Sequence, residues 1–306
     1  MKKNKQKILN SENSDVSLFG KKFYKLFLIW ISIFALGMVR KALQNDTFYT
    51  IKIGELILNN GIDMMDHFSF HAGLAYTYPH WLYDVFIYFI YSLFGLTGVY
   101  VSSIVLLIIL LAIVFKTDNL VCNSKLVAAF ATFICALSIS GFVTARAQLV
   151  SFILFVVQIY CIESFLKNGK KKYLGGLLLI SLVLCNVHVA VWPFYFILYL
   201  PYLVEYLIGW IVSKVKNKDN KFVKFLNKKF EIEKNDNIKY LFLTMIISTA
   251  TGLITPIGDT PYTYLIKTMM GNSQEYIQEH QMITWINSPF TIIIAGETLF
   301  LTCFSR

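Results

Sequence analysis

Residues 106–115, LLIILLAIVF, are apolar on every side, and so are 126–143, LVAAFATFICALSISGFV, and 174–184, LGGLLLISLVL. A helix lying on a soluble core keeps a polar face, so runs without one belong in hydrocarbon. Composition points the same way. Hydrophobic residues make up 56% of the 306 and charged residues 15%, where a soluble domain carries roughly 25%. Mean hydropathy is +0.58. The expected fold is all-α: a polytopic transmembrane bundle of about seven to nine helices, with amphipathic helices in its first outer loop. Aromatic residues reach 16%, as suits helices that end among headgroups. The five cysteines (Cys122, Cys135, Cys161, Cys185, Cys303) fall in or beside apolar runs without a C-x-x-C pair, and read as small buried side chains.

The net charge of +10 follows topology. Lysines gather at 2–25, 167–172 and 214–239, and basic residues flanking apolar helices mark the cytoplasmic side. Nucleic acid is not needed to explain them. The expected organisation is a basic cytoplasmic tail at 1–22 and a transmembrane domain at 23–306. Within that domain, 44–80 and 256–288 are outer loops and 214–237 a cytoplasmic basic loop. Residues 23–40 read as a retained first helix, because no small-residue cleavage site follows. Further helices are expected at 125–144, 147–166, 173–187, 190–213 and 238–255, with a last apolar run at 289–303. Of the basic residues, Arg40, Lys41, Lys52, Arg146 and Lys267 then lie outside, together with every histidine. Residues 81–115 must cross an odd number of times. Their first part, 81–94, is short for a span of roughly 20 residues, and Gly95 and Gly98 follow it. It reads as interfacial, re-entrant, or one arm of a bent crossing.

Residues 44–84 hold Asp46, Glu55, Asp63, Asp66 and Asp84 with His67, His71 and His80, far more than a connection between two helices needs. Asp46 follows the first helix and reads either as the cap of a helix over 47–59 or as a catalytic carboxylate. Glu55 reads as a solvated face. Asp66 and His67 suit a cation or a sugar, although a local turn explains Asp66 equally. His80 opens an apolar helix, as an interfacial residue or a site residue. Arg146 interrupts GFVTARAQLVSFILF, where a charge is costly; it suits phosphate oxygens, or snorkels from a helix end. Asn186 and His188 break an apolar hairpin and must find partners or line a wet cavity. Glu279 lies in the second outer loop. No phosphate loop, dinucleotide motif, H-E-x-x-H or G-x-S-x-G occurs, which removes most of the case for ATP-driven transport and zinc proteolysis.

The order Asp46, IKIGELILNNG (51–61), Asp66-His67-Phe68-Ser69, His80-Trp81-Leu82, Arg146-Ala147-Gln148-Leu149, Asn186-Val187-His188, Thr255-Pro256-Ile257-Gly258 and Ile277-Gln278-Glu279-His280 resembles the GT-C class of polyprenyl-phosphate-dependent membrane glycosyltransferases, in an uncharacterised bacterial branch. The resemblance covers about residues 23 to 290. It implies transfer of a sugar from a lipid-phosphate donor to an extracytoplasmic glycan, lipid or protein acceptor, at the cell envelope. Asp46 and Asp66 would be catalytic; Arg146, His67, His80, Asn186, His188 and Glu279 would bind substrate or lipid phosphate. A divalent cation is a possible addition at Asp66, but the ligands of any metal stay unassigned. The chain departs from the pattern at Ala147, where relatives have proline, at Thr255, where they have asparagine, and at Glu279-His280, where they have Glu-Trp. It stops three residues after Cys303, so the resemblance implies a member shortened at its C-terminus. A non-catalytic carrier, flippase or assembly partner for lipid-linked glycans is the alternative.

The topology has a direct test. Single cysteines replacing Asn59 and Asn272 in a cysteine-free background should react with an impermeant thiol reagent in intact cells, and one replacing Asn217 should not. The reverse pattern would overturn the map.

Overall fold

The computed structural model describes residues 22–23, 25–39, 43–214, 237–271, 284–286 and 292. Among these it is all-helical, with one isolated antiparallel bridge, Met65 to Ala75, and no strand. The chain divides into two compact units, Met1–Pro261 and Tyr262–Arg306. The first holds α1 (Lys25–Met38), α2 (Asn45–Asn60), α3 (Trp81–Cys122), α4 (Lys125–Ser138), α5 (Ala147–Asn168), α6 (Lys172–Val187), α7 (Trp192–Ile197), α8 (Leu200–Lys214) and α9 (Ile238–Thr249). The second holds most of the helix Thr260–Met270, with Lys267 in its last turn.

Three helical stretches are long and apolar enough to cross a membrane: Trp81–Cys122, Ala147–Asn168 and Val189–Trp210. The first runs 42 residues, about twice the length a bilayer needs. It bends at Gly95, whose φ of 61° is open to glycine and strained for other residues. Of the three readings of 81–94, the structure has an arm joined through that bend to a second arm that runs on to Cys122. The bend frames an apolar cavity of about 630 Å³, lined by Phe86, Ile90 and Phe94 before it and Val101, Val105 and Ile109 after it. The 190–213 segment is also broken. Pro193 starts α7, and turn residues at 198–199 separate it from α8.

Two apolar cores hold the bundle. One joins α1, α3, α4 and the start of α5 through Ile31, Ala35, Leu107, Leu111, Ala128 and Leu149. The other joins α5, α6, α7 and α9 through Ile162, Phe165, Leu177, Leu184, Tyr195 and Leu241. In the second core Tyr195 donates to the Leu177 carbonyl at 2.9 Å, and Gln158 Nε2 donates to the Tyr195 carbonyl at 2.7 Å. Apolar surroundings make an unpaired polar group costly, so these partners hold the helices in register.

The segment expected as the first outer loop, 44–80, begins with a single helix, α2. It spans 45–60 where 47–59 was expected, and 61–80 is built of turns and extended chain. Thr47, Thr50, Ile51, Ile53 and Gly54 form its buried face, at helical spacing. That face lies on the first arm of α3 so closely that a Cβ at Gly54 would sit 2.1 Å from the Asp84 carbonyl oxygen. Gly54→Ala should therefore force α2 off α3, at a cost of about 1–3 kcal/mol, and lower the thermal midpoint. Gly175→Ala, in α6 with open space around it, should be neutral or stabilising by up to about 1 kcal/mol. Equal melting of the two variants would contradict the packing.

Candidate functional site

The first half of α2, the start of α3, the start of α5 and the end of α6 meet over one small apolar cluster. It contains Ile51, Tyr83, Ile87, Val99, Ala145, Ala147 and Val187. Around that cluster stand most of the residues singled out by sequence. Asp46 lies in the first turn of α2, not at its cap, which is Gln44. A carboxylate there faces the positive end of the helix dipole. It pairs with Arg146, which occupies the residue just before α5. Thr47 Oγ1, next to Asp46, donates to the Ala145 carbonyl, next to Arg146, at 3.4 Å. The ion pair and this bond join two positions a hundred residues apart in the chain. Asp46 is about half exposed and Arg146 a quarter exposed, so water or a solute reaches both.

A second group begins at His80. Its Nδ1 is hydrogen-bonded to both carboxylate oxygens of Asp84, at 2.9 and 3.1 Å. Asp84 is fully buried, one turn into α3, while His80 keeps a quarter of its side-chain surface. The His188 ring stands edge-on to His80 with centroids 6.1 Å apart. Ser151 donates to the Ala147 carbonyl at 3.0 Å, so its oxygen accepts from His188 Nδ1–H at 2.8 Å. Burial pushes the His188 imidazole down to about 3, and the His80 charge pushes in the same direction. His188 is therefore neutral at physiological pH. Asn186 accepts from Trp81 Nε1 at 3.1 Å and donates to the carbonyls of Leu182 and Ile254 at 2.8 and 3.1 Å. It bonds to α3, to its own helix and to the 250–258 segment. Val189 N–H donates to the Pro79 carbonyl at 2.8 Å, linking the two loops directly.

Asp66 and His67 stand apart from these groups in their contacts. Asp66 Oδ1 accepts from the amides of Phe68 at 2.7 Å and Ser69 at 3.3 Å, closing its own turn. His67 bonds to Asp63 at 2.7 Å. Among the described residues no three His, Cys, Asp or Glu side chains are grouped so as to hold a metal ion. Glu279 lies outside the described residues. Asp84 and Ser151 were not singled out for the site. The four-residue step from His80 to Asp84 at a helix start was a readable signal for the first. Ser151 meets His188 only through the packing of α5 on α6, and sequence carries no signal for it.

No protein-family model matches this chain, no curated protein matches its sequence, and no solved structure matches its fold.

The turn at 61–78 has a pH-dependent hold. The Met65 amide, donating to Asp63 at 3.0 Å, sets Asp63 below its ordinary 3.8, with His67 and Tyr78 lowering it further against a smaller opposing effect of burial. Burial and the Asp63 carboxylate push Tyr78 up to about 12. Since Asp63 is lowered on folding, its contribution is present above 3.8 and lost as pH falls through the lowered value. Hydrogen exchange at the Met65 amide, corrected for intrinsic rate, should be pH-independent near neutrality and lose protection in that acid window. Asp63→Ala should lose the protection at every pH. Unchanged protection in the variant would remove Asp63 from the turn.

Proposed function

We propose that this chain is a multi-pass membrane glycosyltransferase of the GT-C type, with a cytoplasmic N-terminus and its reaction at the extracytoplasmic end of the bundle. It would move a sugar from a polyprenyl-phosphate donor to an extracytoplasmic acceptor. The observation that carries the reading is the Asp46–Arg146 pair, a solvent-reachable acid and guanidinium at the end of an apolar bundle. A guanidinium presents several donors to phosphate oxygens. A lipid phosphate arriving at Arg146 competes with Asp46 for that charge, and a carboxylate relieved of its cation is a better base. Asp46 then takes the proton of the acceptor hydroxyl as its oxygen attacks the sugar. The apolar cavity at the Gly95 bend gives a lipid tail room on the helix that carries His80 and Asp84 at its start. Asn186 and His188 line the same end, while the contacts of Asp66 and His67 suit a loop that frames it.

A carrier or flippase would need the guanidinium and the apolar wall alone. Release of polyprenyl phosphate from sugar-labelled polyprenyl-phospho-hexoses and -pentoses in proteoliposomes separates the two. Asp46→Asn should reduce release roughly 100-fold or more while leaving membrane insertion intact. Polyprenyl-phosphate affinity in one detergent should be weakened in part by Arg146→Lys and strongly by Arg146→Met. Equal affinities in all three proteins would remove the phosphate from Arg146, and binding without release from any donor would favour the carrier.

A further inference from the structure

The glycosyltransferase reading leaves unused the most deeply buried acid of the site. Asp84 is fully buried, and among the described residues its side chain has one hydrogen-bond partner, His80. A lone ionised carboxylate in such a place is strongly destabilising, so the pair holds a compensating proton, on one member or shared between them. Access to that proton is one-sided. The Nδ1 edge of His80 is occupied by Asp84, and the part of the imidazole that remains exposed carries the exchange with solvent or solute. His188 does not compete for the proton. Its Nδ1 is engaged with Ser151, and burial keeps it neutral.

Position favours a role beyond structure. Ser151 holds the imidazole that stands against His80, and it lies five residues after Arg146 in α5. Five residues of helix rise about 7.5 Å, so the dyad and the guanidinium serve neighbouring parts of one site. An Asp that fixes one nitrogen of a histidine and leaves the other to the substrate is the arrangement by which a protein sets imidazole tautomer and aim.

Resting on the glycosyltransferase reading, we propose that His80, positioned by Asp84, is the proton donor to the departing lipid phosphate. As the bond between the sugar C1 and the phosphate oxygen breaks, its electron pair goes to that oxygen, which takes the His80 proton. The acceptor oxygen bonds to C1 and gives its proton to Asp46. Water then returns the proton from Asp46 to bulk and reprotonates the dyad. Asp84 touches no substrate and acts by orienting His80 and stabilising its charged form.

Binding of polyprenyl phosphate should then be linked to the His80 proton. The groups in contact with His80 are Asp84 on its own helix and the His188 ring before α7; the neutral Ser151 and Asn186 bond to His188 and to Trp81 beside it. On α2 the charges are Asp46, paired with Arg146, and Lys52 and Glu55, which pair with each other at 2.7 Å. The test uses the full chain in detergent with polyprenyl phosphate as probe and affinity measured across neutral and mildly alkaline pH. Removing His80 alone would strand Asp84, so the variant is His80→Gln with Asp84→Asn, which keeps a hydrogen bond without charge; its melting midpoint reports folding. The second ionisation of the phosphate acts on both proteins alike. Once the dyad has lost its proton, wild-type affinity should fall about tenfold more per unit rise in pH than that of the variant. Equal slopes with binding intact would overturn the proton-donor role alone. Wild-type affinity no better than that of Arg146→Met would overturn the phosphate site, and this inference with it.

Discussion

Charge in an apolar bundle has to be paired, and the placement of its pairs organises this molecule. Asp46 meets Arg146, Asp84 meets His80, and Asn186 bonds to Trp81, Leu182 and Ile254, all around one apolar cluster at one end of the helices. A buried ionised group left alone costs several kcal/mol, which applies to Asp84; Asp46 and Arg146 are reached by solvent, and their pair serves to orient the elements that carry them. The Asp46–Arg146 pair and the Thr47 bond tie the start of α2 to the start of α5, and the Trp81 and Pro79 bonds draw the 186–189 segment to the Pro79–Trp81 corner. Gly54 completes the arrangement by letting α2 approach the α3 backbone without a side chain between them.

The helical character was legible because it rests on composition and run length, which sequence states directly. Residues 45–60, 147–168 and 172–187 fell within two residues of their expected bounds, while the helix from 125 ends at 138, six residues short of the expected 144. The bend at Gly95 was half legible: two glycines announced a break, but nothing local says whether the arms separate or continue as one helix. The break after Ile197 had a signal in Pro201, which suits the first turn of a new helix, but the apolar run continues on both sides of it. At the site, Asp46 and Arg146 were singled out individually from their setting, and their meeting depends on tertiary packing that no local pattern encodes. Asp66 shows the reverse. Its turn chemistry was open to reading from Asp66-His67-Phe68-Ser69, and its contacts are those of a turn.

Chemically, the end of the bundle offers a cation for an anion, a carboxylate able to accept a proton, and a histidine–carboxylate dyad able to give one. In the proposed reading those three parts would answer the demands of displacing a phosphate from a sugar, in which negative charge grows on the leaving oxygen while the acceptor loses a proton. The neutrality of His188 matters to this division of labour, since two adjacent imidazolium ions would repel each other. The apolar cavity at the Gly95 bend lies on the helix whose first turn carries the dyad, so one element presents both an apolar wall and a proton-bearing tip.

The central claim is that a lipid phosphate sits at this end of the bundle. A polyprenyl phosphate with a photoreactive group beside its phosphate, irradiated with the full chain in liposomes and mapped by mass spectrometry, tests it most directly. Labels should fall within 43–47, 79–84, 145–151 and 186–189, and excess unlabelled polyprenyl phosphate should displace them. Labels confined to the lysine-rich stretches at 167–172 and 214–239 would contradict the account.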